Sequence, residues 1–163
     1  MILISISDKS KYTVADTAVA LYGVYADICG KDFAGVTYEH NECGSPYLEG
    51  APRDVYVSAS HSGVYNAVAL SDKPCGIDIE KLRDDAELMK ISERFGVKTN
   101  SLKEFFEYFC SAEAYAKASG APLPAALKDP NVHARVFDWL EGYCLAVYGE
   151  GVLFYCPSVQ FLP

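Results

Sequence analysis

The chain is short of positive charge: 14 lysines and arginines stand against 22 aspartates and glutamates, a formal net charge of −8 over 163 residues. General binding to nucleic acid or to an anionic membrane rests on a surplus of basic side chains, so the balance argues against both. An anionic ligand would have to be held by a local exception to the overall field. No stretch approaches the roughly 20 apolar residues that span a bilayer. The N-terminal run Met1 to Asp8 has no basic leader and too short an apolar segment for a signal sequence. The expectation is a soluble protein with no membrane partner. The six cysteines show no C-x-x-C spacing and sit mostly inside apolar segments. They read as buried reduced thiols, which places the chain in the cytoplasm. There is no repeat of fixed period and no low-complexity tract.

What is present is enough for a core. Half of the residues are hydrophobic and 13% are aromatic, so one ordered domain over residues 1–163 is expected. Met1 to Asp8 reads as a first strand. Tyr12 to Ile28 carries Val14, Ala18, Leu21, Val24, Tyr25 and Ile28 at steps of three and four, a helix closed by Gly30. Lys31 to Pro52 reads as loops with short extended pieces such as Val36 to Tyr38. Strands are expected over Asp54 to Ser58, Asn66 to Leu70 and Cys75 to Glu80, the last two joined by the turn Ser71 to Pro74. Helices are expected over Asp84 to Phe95 and Leu102 to Ala118, the latter ended by Gly120 and two prolines. Three further strands, Ala134 to Leu140, Tyr143 to Tyr148 and Val152 to Tyr155, are separated by apparent hairpin turns at Glu141-Gly142 and Gly149 to Gly151. Strands and helices in blocks with hairpin spacing predict an α+β fold, mainly antiparallel sheet with packed helices.

Three clusters carry candidate chemistry. In Gly76-Ile77-Asp78-Ile79-Glu80, strand alternation puts both carboxylates on one face and both isoleucines on the other. Like charges about 7 Å apart are tolerated most easily with a cation between them, although a solvated strand edge would carry the same pair. On the helix from Leu102, Glu113 and Lys117 lie one turn apart beside an apolar stripe of Phe105, Phe109, Ala112 and Ala116. That spacing is also the common surface ion pair. Finally, Ser60-His61-Ser62-Gly63 reads as a polar knot after a strand, able to approach an anion closely through small residues and a histidine, or to be a plain turn.

Taken in order, Ser58 to Gly63, Val68 to Ser71, Gly76 to Glu80 and Phe109 to Lys117 resemble the 4′-phosphopantetheinyl transferases of the surfactin-synthetase-activating type. The likeness covers about residues 44 to 156. It implies an enzyme that transfers 4′-phosphopantetheine from coenzyme A to a serine of an acyl or peptidyl carrier protein, with magnesium as cofactor. By position, Asp78, Glu80 and Glu113 match the magnesium-binding carboxylates. His61 and Lys117 match residues that hold the cofactor's phosphates, with Ser60 beside them. Gly44 to Leu48 looks like the family's G-K-P element near the adenosine phosphate, so Gly44 and Pro46 join the cofactor-binding set. Glu113 would take the serine proton, and Lys117 would stabilise or protonate the departing phosphate.

Two positions depart from the pattern: Ser45 and Ala112 stand where lysines are expected. Residues 1–57 read as a shortened version of the N-terminal half, and residues 58–163 as the half that carries the metal motifs. A cofactor cleft that family members wall with two halves would be partly open here, so self-association is one expectation. The alternative function is a degenerate homologue that binds coenzyme A or a carrier protein without catalysis. Docking an acidic carrier onto an acidic chain needs a basic patch. Lys81, Arg83, Lys90, Arg94, Lys98 and Lys103 could form one, or could be ordinary helix-surface charge mixed with Asp84, Asp85, Glu87 and Glu93.

Overall fold

The computed structural model of the chain describes residues 1–83, 101–129 and 132–157, with isolated positions 90, 94, 96 and 99. The helix expected over Asp84 to Phe95 and the charges at Asp84, Asp85, Glu87, Glu93 and Lys98 fall outside the described residues, apart from Lys90 and Arg94.

The elements run β1 (Ile2–Asp8), α1 (Val14–Cys29), β2 (Thr37–His40), β3 (Pro46–Glu49), β4 (Tyr56–Ser62), β5 (Tyr65–Ser71), β6 (Cys75–Lys81), α2 (Leu102–Ser119), α3 (Leu123–Ala126), β7 (Arg135–Phe137), β8 (Tyr143–Gly149) and β9 (Leu153–Tyr155). Helix α1 starts where Thr13 and Asp16 cap each other's backbone N–H groups, satisfying two orphan donors. It stops at Gly30, whose φ of 62° is the left-handed geometry that glycine adopts without steric cost.

Strand order β4-β5-β1-β9 makes a four-stranded sheet and β6-β8-β7 a three-stranded one, with β2-β3 a separate hairpin. All pairings are antiparallel except β1 with β9, so the α+β, mainly antiparallel expectation holds. The parallel pair corrects one reading. The glycine-rich segment 149–151 does not close a hairpin between β8 and β9; it carries the chain from the smaller sheet to the edge of the larger.

Alternation along the strands creates the layers. Leu3, Val68 and Leu70 face α1 and meet Leu21, Tyr22 and Tyr25. Their neighbours Ile2, Ile4, Ala67 and Ala69 face the other way, onto Ile77, Ile79, Leu145 and Val147 of the second sheet. The far side of that sheet presents Cys144 and Ala146 to Phe105, Phe106, Cys110 and Ala114 of α2. The result is helix, sheet, sheet, helix. Fully burying a side chain such as Ile77 or Ile79 is worth about 1.5–3 kcal/mol, which pins β6 with its odd residues inward and its even residues towards α2.

A second device fixes β4 against β6. Ser58, Ser60 and Ser62 recur at every other residue and all turn their hydroxyls to β6. Ser58 Oγ accepts from the Ile77 N–H at 3.1 Å. Ser60 Oγ donates to Asp78 Oδ1 at 2.8 Å. Ser62 Oγ donates to Glu80 Oε2 at 2.8 Å while accepting from the Lys81 N–H at 3.0 Å. These side chains stitch together two strands that belong to different sheets. The segment Ser60 to Ser62 therefore belongs to β4, and the turn lies beyond it at Gly63, where the Val64 N–H donates to the Tyr143 hydroxyl.

Candidate active site

Small residues set the distance between α2 and β6. Gly76 has no Cβ, and one built there would stand 1.8 Å from the Ala114 carbonyl oxygen. The helix rests directly on the strand as a result. Residues 110, 113, 114 and 117 share the face towards β6, as steps of three and four require. This close approach brings Glu113 and Lys117 over the even-numbered face of β6, where Asp78 and Glu80 point.

Lys117 does not pair with Glu113 along the helix. Its Nζ donates instead to Asp78 Oδ1 at 2.7 Å and to the Ile77 carbonyl at 3.0 Å. Asp78 is almost wholly buried, at 4% exposure, and among the described residues its Oδ2 has no hydrogen-bond partner. A buried carboxylate oxygen without a donor is costly, and marks a place where a further cation or donor would be favourable. Glu113 and Glu80 feel the same crowding. The Glu113 carboxyl is raised above the ordinary glutamate value by burial first and then by the Asp78 charge, against the lowering pull of Lys117; Glu80 adds a smaller push. Glu80 is raised chiefly by burial, opposed by its hydrogen bond from Ser62, and raised further by Asp78. The three acids predicted from sequence thus act on one another across the β6–α2 contact.

These acids suit magnesium in chemistry. All are hard oxygen donors, and Asp78 Oδ2 is buried and free to accept. Among the described residues, no three His, Cys, Asp or Glu side chains are grouped tightly enough to form a ready-made metal cage. Magnesium is usually held by one or two carboxylates together with waters and substrate phosphates, so a looser acidic set is the form its protein ligands take.

A cleft of about 810 Å³ opens beside the acids, within the size range of small-molecule sites. Gly44, Pro46, Ser60, His61 and Lys117 all line it. The five positions expected to bind cofactor, drawn from a turn, a hairpin strand, β4 and α2, share one wall. The cleft reaches Asp78 through Ser60 and Lys117, both hydrogen-bonded to its Oδ1. Sequence reasoning missed His40, Arg53 and Tyr56, which also line the cleft; Arg53 lies in a Gly/Pro-rich connection with no periodic signal.

The departures at 45 and 112 have different surroundings. Ser45 is exposed in the turn leading into β3 and lines the cleft. Ala112 is 1% exposed and packs against Ala126 and Leu127 around α3, so a lysine there would have no room. In the anticipated basic patch, Arg83 lies 3.6 Å from Glu80, and Lys103 lies 3.8 and 3.6 Å from Glu107 and Asp138. Of the cysteines, Cys75, Cys110 and Cys144 are buried and Cys156 is partly buried, whereas Cys29 and Cys43 are exposed, which corrects the expectation of buried thiols at those two; all six are free thiols.

No protein-family model matches the sequence. A 4′-phosphopantetheinyl transferase of Bacillus subtilis is 29% identical over 117 residues, covering 65% of this chain and 51% of that protein. The chain is similar in sequence to proteins named as 4′-phosphopantetheinyl transferases. A second relative, the 4′-phosphopantetheinyl transferase gsp of Aneurinibacillus migulanus, is 29% identical over 96 residues, covering 52% of this chain and 38% of that protein. The match spans about half the length of the first relative and less of the second. No described helix is long and apolar enough to cross a membrane.

Proposed function

We propose that the chain transfers 4′-phosphopantetheine from coenzyme A to a serine hydroxyl of an acyl or peptidyl carrier protein, in a magnesium-dependent reaction. The observation that carries this reading is the convergence of Asp78, Glu80 and Glu113 around Lys117, which also lines a cleft walled by Gly44, Pro46, Ser60 and His61. Displacement at phosphorus is governed by positioning and charge neutralisation, and this arrangement offers both.

Asp78, Glu80 and Glu113 would hold the metal, which when bound neutralises charge on the diphosphate. His61 and Ser60 would orient the phosphates along the cleft wall. Glu113, its carboxyl raised by burial and by Asp78, is shifted towards the range in which a general base works best, and would accept the proton of the incoming serine. Lys117, fixed by Asp78 and the Ile77 carbonyl, would direct its ammonium at the departing phosphate. The chain would act as one unit, with residues 1–57 supplying the hairpin side of the cleft and residues 58–163 the acids. Six unpaired thiols suit a reducing cytoplasm.

A second reading, retention of binding without transfer, is favoured by Ser45 and by the buried Ala112, where two expected cations are missing. One experiment separates the two. An apo carrier protein incubated with coenzyme A, magnesium and this chain is weighed by mass spectrometry. A phosphopantetheine increment that disappears with Glu113→Gln supports transfer, and a carrier of unchanged mass with the parent chain rules transfer out for that carrier.

A further inference from the structure

Ser60 and Ser62 stand two apart on β4, Asp78 and Glu80 two apart on β6, and each serine hydroxyl donates to the carboxylate it meets at 2.8 Å. At Asp78 the Ser60 hydroxyl and the Lys117 ammonium both take Oδ1, so among the described residues Oδ2 is the oxygen left over. Glu80 repeats this division. The Ser62 hydroxyl donates to Oε2, and the Arg83 guanidinium approaches the same oxygen at 3.6 Å. Both contacts from described residues fall on one oxygen, which leaves Oε1 able to take a cation.

The two acids differ in what else holds them. Asp78 is short, almost wholly buried and tied to a lysine as well. Glu80 has a longer side chain that is 24% exposed, and it stands one residue from the end of β6. Without a tether such a side chain samples several rotamers. The Arg83 side chain is half exposed, so its ion pair is a weak constraint. Ser62 is a firmer one. It is 8% exposed, and because its oxygen accepts from the Lys81 N–H at 3.0 Å, its single proton is directed at Glu80. The backbone of β6 aims the hydroxyl, and the hydroxyl aims the carboxylate. We propose that Ser62 is a positioning residue for metal binding: by fixing Glu80 Oε2 it holds the carboxylate ready to give Oε1 to the cation, and so sets metal affinity without touching the metal. This inference rests on Glu80 belonging to the metal set of the proposed reaction.

The test is titration of the full chain with manganese, an ion with the same preference for oxygen ligands as magnesium, followed by the paramagnetic resonance signal of the free ion. Loss of an outer partner of a metal ligand typically costs about ten- to hundredfold in affinity. Ser62→Ala should therefore weaken manganese binding about ten- to hundredfold, and Ser62→Thr, which keeps the hydroxyl, should stay within about threefold of the parent. Ser62→Cys, a weak donor of similar size, should also weaken binding, so the decision stands even if Ser62→Ala does not fold. Ser58→Ala is the control for the seam between β4 and β6. Its hydroxyl is a tether of the same kind but meets the Ile77 N–H and no carboxylate, so that variant should lose stability in urea while keeping manganese affinity within about threefold. Parent affinity in both Ser62→Ala and Ser62→Cys, or equal weakening in Ser58→Ala, overturns the positioning role alone. A parent chain that binds no manganese overturns this inference and the proposed metal dependence together.

Discussion

Lys117 Nζ lies 2.7 Å from Asp78 Oδ1, joining the last turn of α2 to the centre of β6. The aspartate side chain is 5% exposed and the lysine side chain 29%. Removing the lysine alone would leave a buried negative charge without its cation, held by the Ser60 hydroxyl. Because the lysine is partly solvated, the cost should fall somewhat below the ~3–5 kcal/mol of a fully buried pair, at about 2–3 kcal/mol. Urea unfolding of Lys117→Met should show that loss, and Asp78→Asn/Lys117→Met should recover much of it. Equal stability of the single variant and the parent would mean that the pair contributes nothing.

Gly76→Ala should be among the most damaging small substitutions in the chain. The new methyl would overlap the Ala114 carbonyl and push α2 off the sheet, carrying Glu113 and Lys117 away from Asp78. A loss of several kcal/mol, on the order of a severe overpacking, is expected in thermal unfolding. A melting temperature within a degree of the parent would show that the contact is looser than 1.8 Å implies.

How much of this was visible beforehand differs from element to element. The end of α1 was legible because Gly30 is a local signal acting on neighbouring backbone, whereas its start, expected at Tyr12, lies at Val14, where Thr13 caps it. The opposed faces of Asp78 and Ile77 followed from strand alternation alone. The partner of Lys117 was not legible, since a glutamate one turn away is the nearest candidate in sequence while the true partner, Asp78, lies 39 residues away. Ser60 to Ser62 looked like a turn because serines are common in turns. Their place in a strand depends on β6, which no local pattern announces. The glycines before β9 mislead for a similar reason, because glycine marks a change of direction without saying which strand comes next.

Metal should bind to the folded chain and stabilise it if the acids act together. Magnesium at a hundredfold over its dissociation constant raises stability by about 2.7 kcal/mol. A rise in melting temperature on adding magnesium, reversed by EDTA and much reduced in Glu113→Gln, is the expected pattern. A shift of the same size in the variant would remove Glu113 from the metal set.

The Thr13–Asp16 cap predicts a pH effect at the other end of the molecule. Hydrogen bonds from the Thr13 backbone N–H and hydroxyl hold the Asp16 carboxyl below its ordinary value. A lowered folded value means that the contribution is complete above the ordinary aspartate range and is lost as pH falls through the lowered value. Thr13→Ala should cost about 1 kcal/mol at pH 7, and the gap to the parent should narrow in acid. A gap that is constant down to pH 2 would contradict the charged cap.

Thiol labelling should divide the cysteines. Cys29 and Cys43 are exposed, whereas Cys75, Cys110 and Cys144 are buried, and burial pushes the Cys75 thiol up to about 12. A neutral-pH disulfide reagent should modify the first two within minutes and reach the buried three only on unfolding. Rapid reaction of Cys110 in the folded chain would mean that α2 opens readily from β8.

The alternating hydroxyls of β4 keep two sheets in phase. A slip of one residue along that seam would offer Ala59 and His61 to β6, neither of which is a serine, and would break every tether at once; only a two-residue jump preserves the mesh. Small drifts between the cleft and the acids are thereby forbidden, and a change at Ser62, whose hydroxyl is spent on Glu80 and Lys81, would be felt as mistuned charge at the reaction end before any loss of ligand contact.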